Sequence, residues 1–354
     1  MHGREQVMPY GDLGNAERVG FGRAFTFSQV LWFLLIACGS AEVERPDSAK
    51  HPAHVALTTA PTASAGRAFH DVWSQGTAEL SSYQVVLPRY DELRSGQLVL
   101  TYVTEPLDRC TRIKDDDAPA DQRLTVLKLN ANLSFQTGIY PYSVMTTVLA
   151  PIDAYRPALP RFSPIKITLS VQEWCGHVFH GVWPGDSAFE EQIISYFASE
   201  GEARRLVAAP LSTLYEDALL IQLRELDGPF AFGGDWQGRL VPSLWRLRRA
   251  HRAATPLVAS ITREATTRDG TEINRFVLVA GEYTRTFEVE RRGAQRILAW
   301  ETSEGERATL RNTARLAYWQ LNHVGDESQR RALGLPVDPY GTFPGSTRAE
   351  PKVP

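Results

Sequence analysis

The sequence predicts a mainly β protein: a curved antiparallel sheet, built as an open barrel or sandwich, with one or two short helices. Three observations carry this. Runs rich in β-branched and aromatic residues, many with two-residue alternation, recur between residues 77 and 310. The later runs are joined by hairpin-length connections with glycine at the turn, as at Asp269-Gly270 and Arg292-Gly293. The strand–helix–strand rhythm of a parallel sheet is missing.

Taken in order, residues 77–87 alternate weakly and end at Pro88. In residues 97–104 (QLVLTYVT), Leu98, Leu100 and Tyr102 share one face and Val99, Thr101 and Val103 the other, a pattern expected of a strand covered on both sides. Residues 124–133, 143–149, 165–174, 177–182 and 191–197 continue the β pattern. Residues 257–267 and 271–280 form one predicted hairpin, residues 282–290 and 294–302 a second, and residues 306–310 a further strand. One helix is signalled. Thr213 and Glu216 stand at capping-box spacing, Leu219, Leu223 and Leu226 follow at helical spacing, and Asp227-Gly228-Pro229 ends the run. A second short helix is expected over residues 315–321.

Ahead of this domain, residues 24–38 (AFTFSQVLWFLLIAC) form an apolar stretch preceded by Arg18 and Arg23 and followed by Gly39-Ser40. The stretch is shorter than the roughly 20 residues of a membrane-spanning helix. It reads as a lipoprotein signal peptide over residues 1–37, with Cys38 as the lipidated residue. Met8 is an alternative start. Residues 38–67, rich in Ala, Ser, Thr and Pro, read as a flexible linker. Residues 68–335 then make a single β-rich domain, and the Pro- and Gly-rich residues 336–354 a loose tail. This organisation implies a lipid-anchored protein of the cell envelope, on the periplasmic or outer-membrane side.

A hydrophobic content of 43% excludes global disorder, and a net charge of −3 gives no footprint for nucleic acid. The Arg-rich residues 246–252 read as a local solvated face. With Cys38 lipidated, Cys110 and Cys175 remain, a candidate disulfide in an oxidising compartment. No metal or cofactor is expected.

The densest reactive cluster is Gln172-Glu173-Trp174-Cys175-Gly176-His177, with His180 three residues on. On a continuous strand Glu173, Cys175 and His177 would share a face, with the thiol between an acid and a base. That makes Cys175, His177 and Glu173 candidate catalytic residues of a thiol-dependent hydrolase, against the plainer expectation of a packed or disulfide-bonded cysteine. A second unusual segment, residues 137–143 (TGIYPYS), places Tyr140 and Tyr142 around a proline. With Trp174 these are candidates for a ligand or partner surface.

Several segments together resemble an uncharacterised family of bacterial lipoproteins of the Bacteroidetes type. They are residues 78–83, Arg89-Tyr90, residues 127–130, the stretch TGIYPYSVM at 137–145, residues 172–177, residues 298–301 and Tyr318-Trp319. Some members carry the label septum formation inhibitor, Maf-like. Maf nucleotide pyrophosphatases have an α/β fold and an N-terminal Ser-x-Arg-Arg motif, and neither is present at the start of the β-rich region here. The resemblance implies an envelope lipoprotein and transfers no mechanism to a residue. The function expected is therefore a non-enzymatic binding or carrier module for a hydrophobic ligand or an envelope partner, held at the bacterial membrane by the lipid on Cys38. The alternatives are the thiol hydrolase and a structural envelope protein.

Overall fold

Fifteen strands in one sheet wrap around a helical plug without closing. The computed structural model describes residues 65–153, 161–224, 226 and 235–338. The expectations for Cys38, the signal peptide, the linker up to residue 64, and residues 339–354 lie outside the described residues. Helix α1 (Arg67–Trp73) leads into β1 (Ala78–Arg89), β2 (Glu92–Asp108), β3 (Arg123–Thr137) and β4 (Tyr140–Pro151). Next come β5 (Lys166–Glu173), β6 (Gly176–Pro184), β7 (Ala188–Ser195) and β8 (Glu202–Ala208). A two-residue β9 (Leu214–Tyr215), a 3-10 turn (Glu216–Ala218) and α2 (Leu219–Gln222) cross over to β10 (Trp236–Val241) and α3 (Leu244–Arg249). The chain then returns as a meander through β11 (Leu257–Arg268), β12 (Thr271–Ala280), β13 (Tyr283–Glu290), β14 (Ile297–Thr302) and β15 (Arg307–Leu316). Two further 3-10 segments follow, Tyr318–Gln320 and Asp326–Leu333.

The spatial order is β8-β7-β6-β5-β4-β3-β2-β1-β15-β14-β13-β12-β11-β10-β9. All neighbours pair antiparallel except β9 and β10. Two meanders, β1–β8 and β10–β15, are thus joined edge to edge by the β1–β15 ladder, and the result is a curved, unclosed sheet. This is the open antiparallel architecture that the sequence predicts. The Asp269-Gly270 turn has positive φ at both residues (47° and 81°), the primed geometry that matches the twist of the flanking strands. Tyr90-Asp91 makes the same turn between β1 and β2 without a glycine, at φ 55° and 56°.

The concave face carries the main core. Leu100, Tyr102, Leu129, Val148, Ile167 and Leu169 are essentially fully buried there, under Phe69 and Trp73 of α1 and Leu219 of α2. Tyr102 donates its hydroxyl to the Leu220 carbonyl (2.9 Å), fixing α2 against β2. The convex face is covered in part. Ala78, Leu80 and Val103 pack beneath Leu333 and Leu335, so β2 is buried on both faces near Leu100–Val103, as its sequence implies, and so is the start of β1, where the sequence showed only weak alternation.

The predicted capped helix forms differently. Only the 3-10 turn and the four residues of α2 are helical, and the buried Thr213 hydroxyl has no partner. Glu216 does not reach back to Thr213; tertiary partners take it, as described below. The helix expected over 315–321 is instead the end of β15 and a 3-10 turn. The Arg-rich stretch is a solvated face only at its end: Arg246–Arg249 belong to α3, seated inside the sheet with Arg248 buried and Arg249 largely so, and Ala250, His251 and Arg252 are exposed.

Candidate ligand-binding cavity

Between the concave face and the helical plug lies a partly open cavity of about 70 Å³. One wall is apolar and comes from adjacent strands: Val85 of β1, Leu98 of β2, Leu129 and Leu133 of β3, Val144 and Val148 of β4. The register explains this. Leu133 faces Val144 and Leu129 faces Val148 across β3–β4, so residues two apart line one stripe of the pleat. The opposite wall is charged: Glu216 and Asp217 from the 3-10 turn, Arg246 and Arg249 from α3, and Tyr283 and Arg285 from β13.

The charged wall is a connected network. Glu216 accepts from the Tyr283 hydroxyl (2.8 Å) and Arg285 Nη1 (3.0 Å) on one oxygen, and from the Ser243 amide (3.0 Å) on the other. Asp217 accepts from the Leu244 amide (2.9 Å). The two carboxylates therefore satisfy the first amides of α3, which has no side-chain cap of its own. Burial pushes the Asp217 carboxyl up to about 6, partly opposed by its hydrogen bonds and reinforced by the neighbouring Glu216. Burial also raises the Tyr283 hydroxyl, with Glu216 adding to it. Burial works against the Arg285 guanidinium, but Tyr283, Glu216 and Glu306 hold it charged, with its pKa raised.

A tyrosine–arginine cluster closes the stripe at the hairpin-tip end. Phe135 and Tyr142 are the next residues on this face beyond Leu133 and Val144, and their rings stack at 4.8 Å. Arg89 donates to the Tyr142 hydroxyl (2.9 Å), which is 2.7 Å from that of Tyr90. Tyr140 donates to Tyr90 (3.3 Å), and its ring lies 6.2 Å from the exposed Trp174. The three aromatic residues singled out in the sequence thus belong to one cluster, with Tyr142 buried, Tyr140 at its edge and Trp174 outermost. The sequence reading missed Glu216, Asp217, Arg246, Arg249 and Arg285 as lining residues. No local signal marks them, because they meet only through pairing across the sheet.

The thiol cluster is not assembled. Trp174-Cys175 is the two-residue turn of the β5–β6 hairpin, not part of a continuous strand. Glu173 pairs with Gly176 and His177 with Gln172, so Glu173 and His177 project to opposite faces. His177 is exposed and His180 is buried on the other face, which also separates the His-x-x-His pair. Among the described residues no group of three ligating side chains could hold a metal ion. His180 is instead bonded to Glu191 (2.8 Å), which also binds Arg205 (2.7 Å) and the Ala254 amide (2.5 Å). Burial disfavours the Glu191 charge, but these three donors outweigh it and hold its pKa low.

The disulfide is not made. Cys110 and Cys175 are free and exposed. Cys110 follows β2, at the end of the sheet where β3 begins; Cys175 sits at the opposite end, beside the β3–β4 turn. At least the length of β5, about 27 Å at 3.4 Å per residue, separates those ends, far beyond the roughly 7 Å limit for bridging Cα atoms. A hydrogen bond with Glu173, then partial desolvation and the Glu173 charge, push the Cys175 thiol up, away from a reactive thiolate. In a Cys110→Ser background, Cys175 should react with a disulfide reagent at pH 7.5 more slowly than free N-acetylcysteine. Glu173→Gln should raise the rate; no change would remove Glu173 as the cause.

Comparison with known proteins gave no match to a family model, a curated protein or a solved structure.

Proposed function

We propose that this protein is a lipid-anchored envelope protein that binds a small amphiphile without transforming it. The observation that carries this reading is the two-sided cavity: aliphatic side chains of β1–β4 on one wall, ionised groups on the other. Such a site matches a ligand with an apolar part and a polar end. At about 70 Å³ it has room for several waters, so it suits a short chain or the first carbons of a longer one. The absence of an assembled nucleophile–base pair at Cys175 favours binding over thiol catalysis. The apolar stretch ending at Cys38 supports the lipid anchor and the envelope location.

Native mass spectrometry of a Cys38→Ser form tests the reading. The expected spectrum shows an added mass that leaves on denaturation. Val144→Trp, which fills the apolar wall, should lose that mass and remain folded. A bare protein that also fails to bind octanol and octyl phosphate in titration would overturn the binding module.

A further inference from the structure

Where the cavity meets the tyrosine cluster, buried donors accumulate without acceptors. Trp245 lines the cavity and packs edge-on against Phe135 at 6.1 Å. The Arg249 guanidinium lies 5.9 Å from the Trp245 ring and reaches the Pro88 carbonyl on the next residue to Arg89 (3.5 Å). The indole Nε1–H of Trp245 and the Nε–H groups of Arg89, Arg248 and Arg249 are all buried and have no hydrogen-bond partner among the described residues. Trp245 and Arg248 are themselves more than nine-tenths buried, at 8% and 4% exposure. Buried donors are normally satisfied, so the three that lie together, on Trp245, Arg249 and Arg89, signal acceptors supplied from outside the chain.

Charge points the same way. The guanidiniums of Arg246 and Arg249 line the cavity, that of Arg89 lies beside the tyrosines, and Arg248, which lines a neighbouring cavity, feels the Arg89 charge. Two carboxylates answer them: Glu304 binds both Arg246 (2.6 Å) and Arg249 (3.0 Å), and Glu200 binds Arg248 (2.7 Å). Arg89 bonds to tyrosine hydroxyls and to no carboxylate. Burial lowers the Arg248 pKa and, against the pull of Glu200, the Arg89 charge lowers it further; crowded cations of this kind gain from an added anion. The hydroxyls of Tyr90, Tyr140 and Tyr142 are linked by two hydrogen bonds, which leaves one O–H of the three as a further donor at the outer side. Tyr90 holds a left-handed backbone conformation unusual for a bulky residue, and so presents its ring and hydroxyl to this cluster.

We infer that this arginine–tyrosine–tryptophan cluster is an anion subsite, taking a phosphate-class group with several acceptor oxygens. This rests on the amphiphile reading, with the anion as the polar end and the aliphatic stripe as the seat of the chain. Guanidinium forks suit such a group because each presents paired N–H donors to adjacent oxygens. The phosphate could be the end of an amphiphile or free in solution, and the test separates the two.

Full-length protein is titrated with inorganic phosphate, octyl phosphate and octanol, following tryptophan fluorescence and heat. Octyl phosphate is expected to bind at least tenfold more tightly than octanol. Arg89→Gln and Arg249→Gln, made separately, should each reduce that ratio to threefold or less, and Arg89→Gln, whose residue lies outside the cavity lining, should leave octanol affinity within twofold. Thermal unfolding shows which variants are folded, and either one alone suffices. Saturable binding of inorganic phosphate that both variants abolish, with no chain dependence, assigns the subsite to free phosphate and supports the inference while removing the amphiphile. Equal binding of octyl phosphate and octanol overturns the subsite and leaves the apolar cavity standing. Phosphate binding that neither arginine variant changes also overturns it, as does no binding of any of the three.

Discussion

Glu79→Ala is expected to destabilise the protein by about 3–5 kcal/mol. Glu79 is 1% exposed on the concave face of β1, at the far end of the stripe from the tyrosine cluster. Its two oxygens bind Arg224 at 2.7 and 3.2 Å, and one also takes Arg315 at 3.1 Å. Arg224 lies just beyond α2 and donates to the Ala294 and Gln295 carbonyls before β14. Its guanidinium lies 4.9 Å from the ring of Trp73 and 4.7 Å from that of Tyr102. Burial alone would drive the Arg224 cation toward neutrality; the Glu79 charge overcomes this and raises its pKa. One carboxylate thus joins α1, α2, both meanders and the β1–β15 seam. Removing it leaves one fully buried and one partly buried guanidinium without a counterion, and such a loss is far larger than the net worth of the pair.

Chemical denaturation gives the measurement. The midpoint should fall with little change in slope, since the surface exposed on unfolding is unchanged. Glu79→Gln should lose nearly as much, because an amide supplies an acceptor and no charge. Arg67→Ala provides the contrast. Its partner is Asp71 at 3.7 Å, the two side chains are 93% and 67% exposed, and a change below about 0.5 kcal/mol is expected. A loss under 1 kcal/mol for Glu79→Ala would mean that water reaches the site in the native state.

The strands were legible because their signal is local. Leu98, Leu100 and Tyr102 alternate with Val99, Thr101 and Val103 within eight residues, and the two covered faces follow directly. Asp269-Gly270 announces its turn in two residues. Elements without such a signal were missed. β8 pairs only with β7 at the edge of the sheet, and its exposed Arg204, Arg205 and Leu206 show no alternation. α3 has six residues, three of them arginine, too short for helical periodicity to register. The capping box failed for a physical reason: Glu216 has stronger partners in Tyr283 and Arg285, 67 and 69 residues later, than in the Thr213 backbone. The candidate site shares this property. In its aromatic half, Tyr140 and Tyr142 were visible because Gly138 and Pro141 flank them, whereas the turn that holds Trp174 beside them was read as strand. Its ionic half is assembled by crossing from the first meander to the second, and spacing along the chain carries no trace of that.

Asp217→Asn is expected to act in the opposite direction to Glu79→Ala and only at one end of the pH range. The Asp217 carboxyl is held near 6 when folded, against an ordinary value near 3.8. Below about pH 3 both folded and unfolded chains hold the proton and the group has no effect. Between about 4 and 6 the unfolded chain ionises first, binds fewer protons than the native one, and stability falls as pH rises. Above 6 the full penalty is in place, about two pK units or roughly 3 kcal/mol. Asparagine is neutral throughout and keeps an oxygen for the Leu244 amide, so the variant should gain roughly 2–3 kcal/mol at pH 8 and almost nothing at pH 3. Midpoints measured at both values check this; a gain independent of pH would place the effect in packing instead. A residue that lowers native stability at neutral pH, lines the cavity and caps α3 is the kind that function retains against stability. The same variant should therefore bind an amphiphile with a weakened or altered pH profile, because Asp217 holds the helix that carries Trp245, Arg246 and Arg249 to the site.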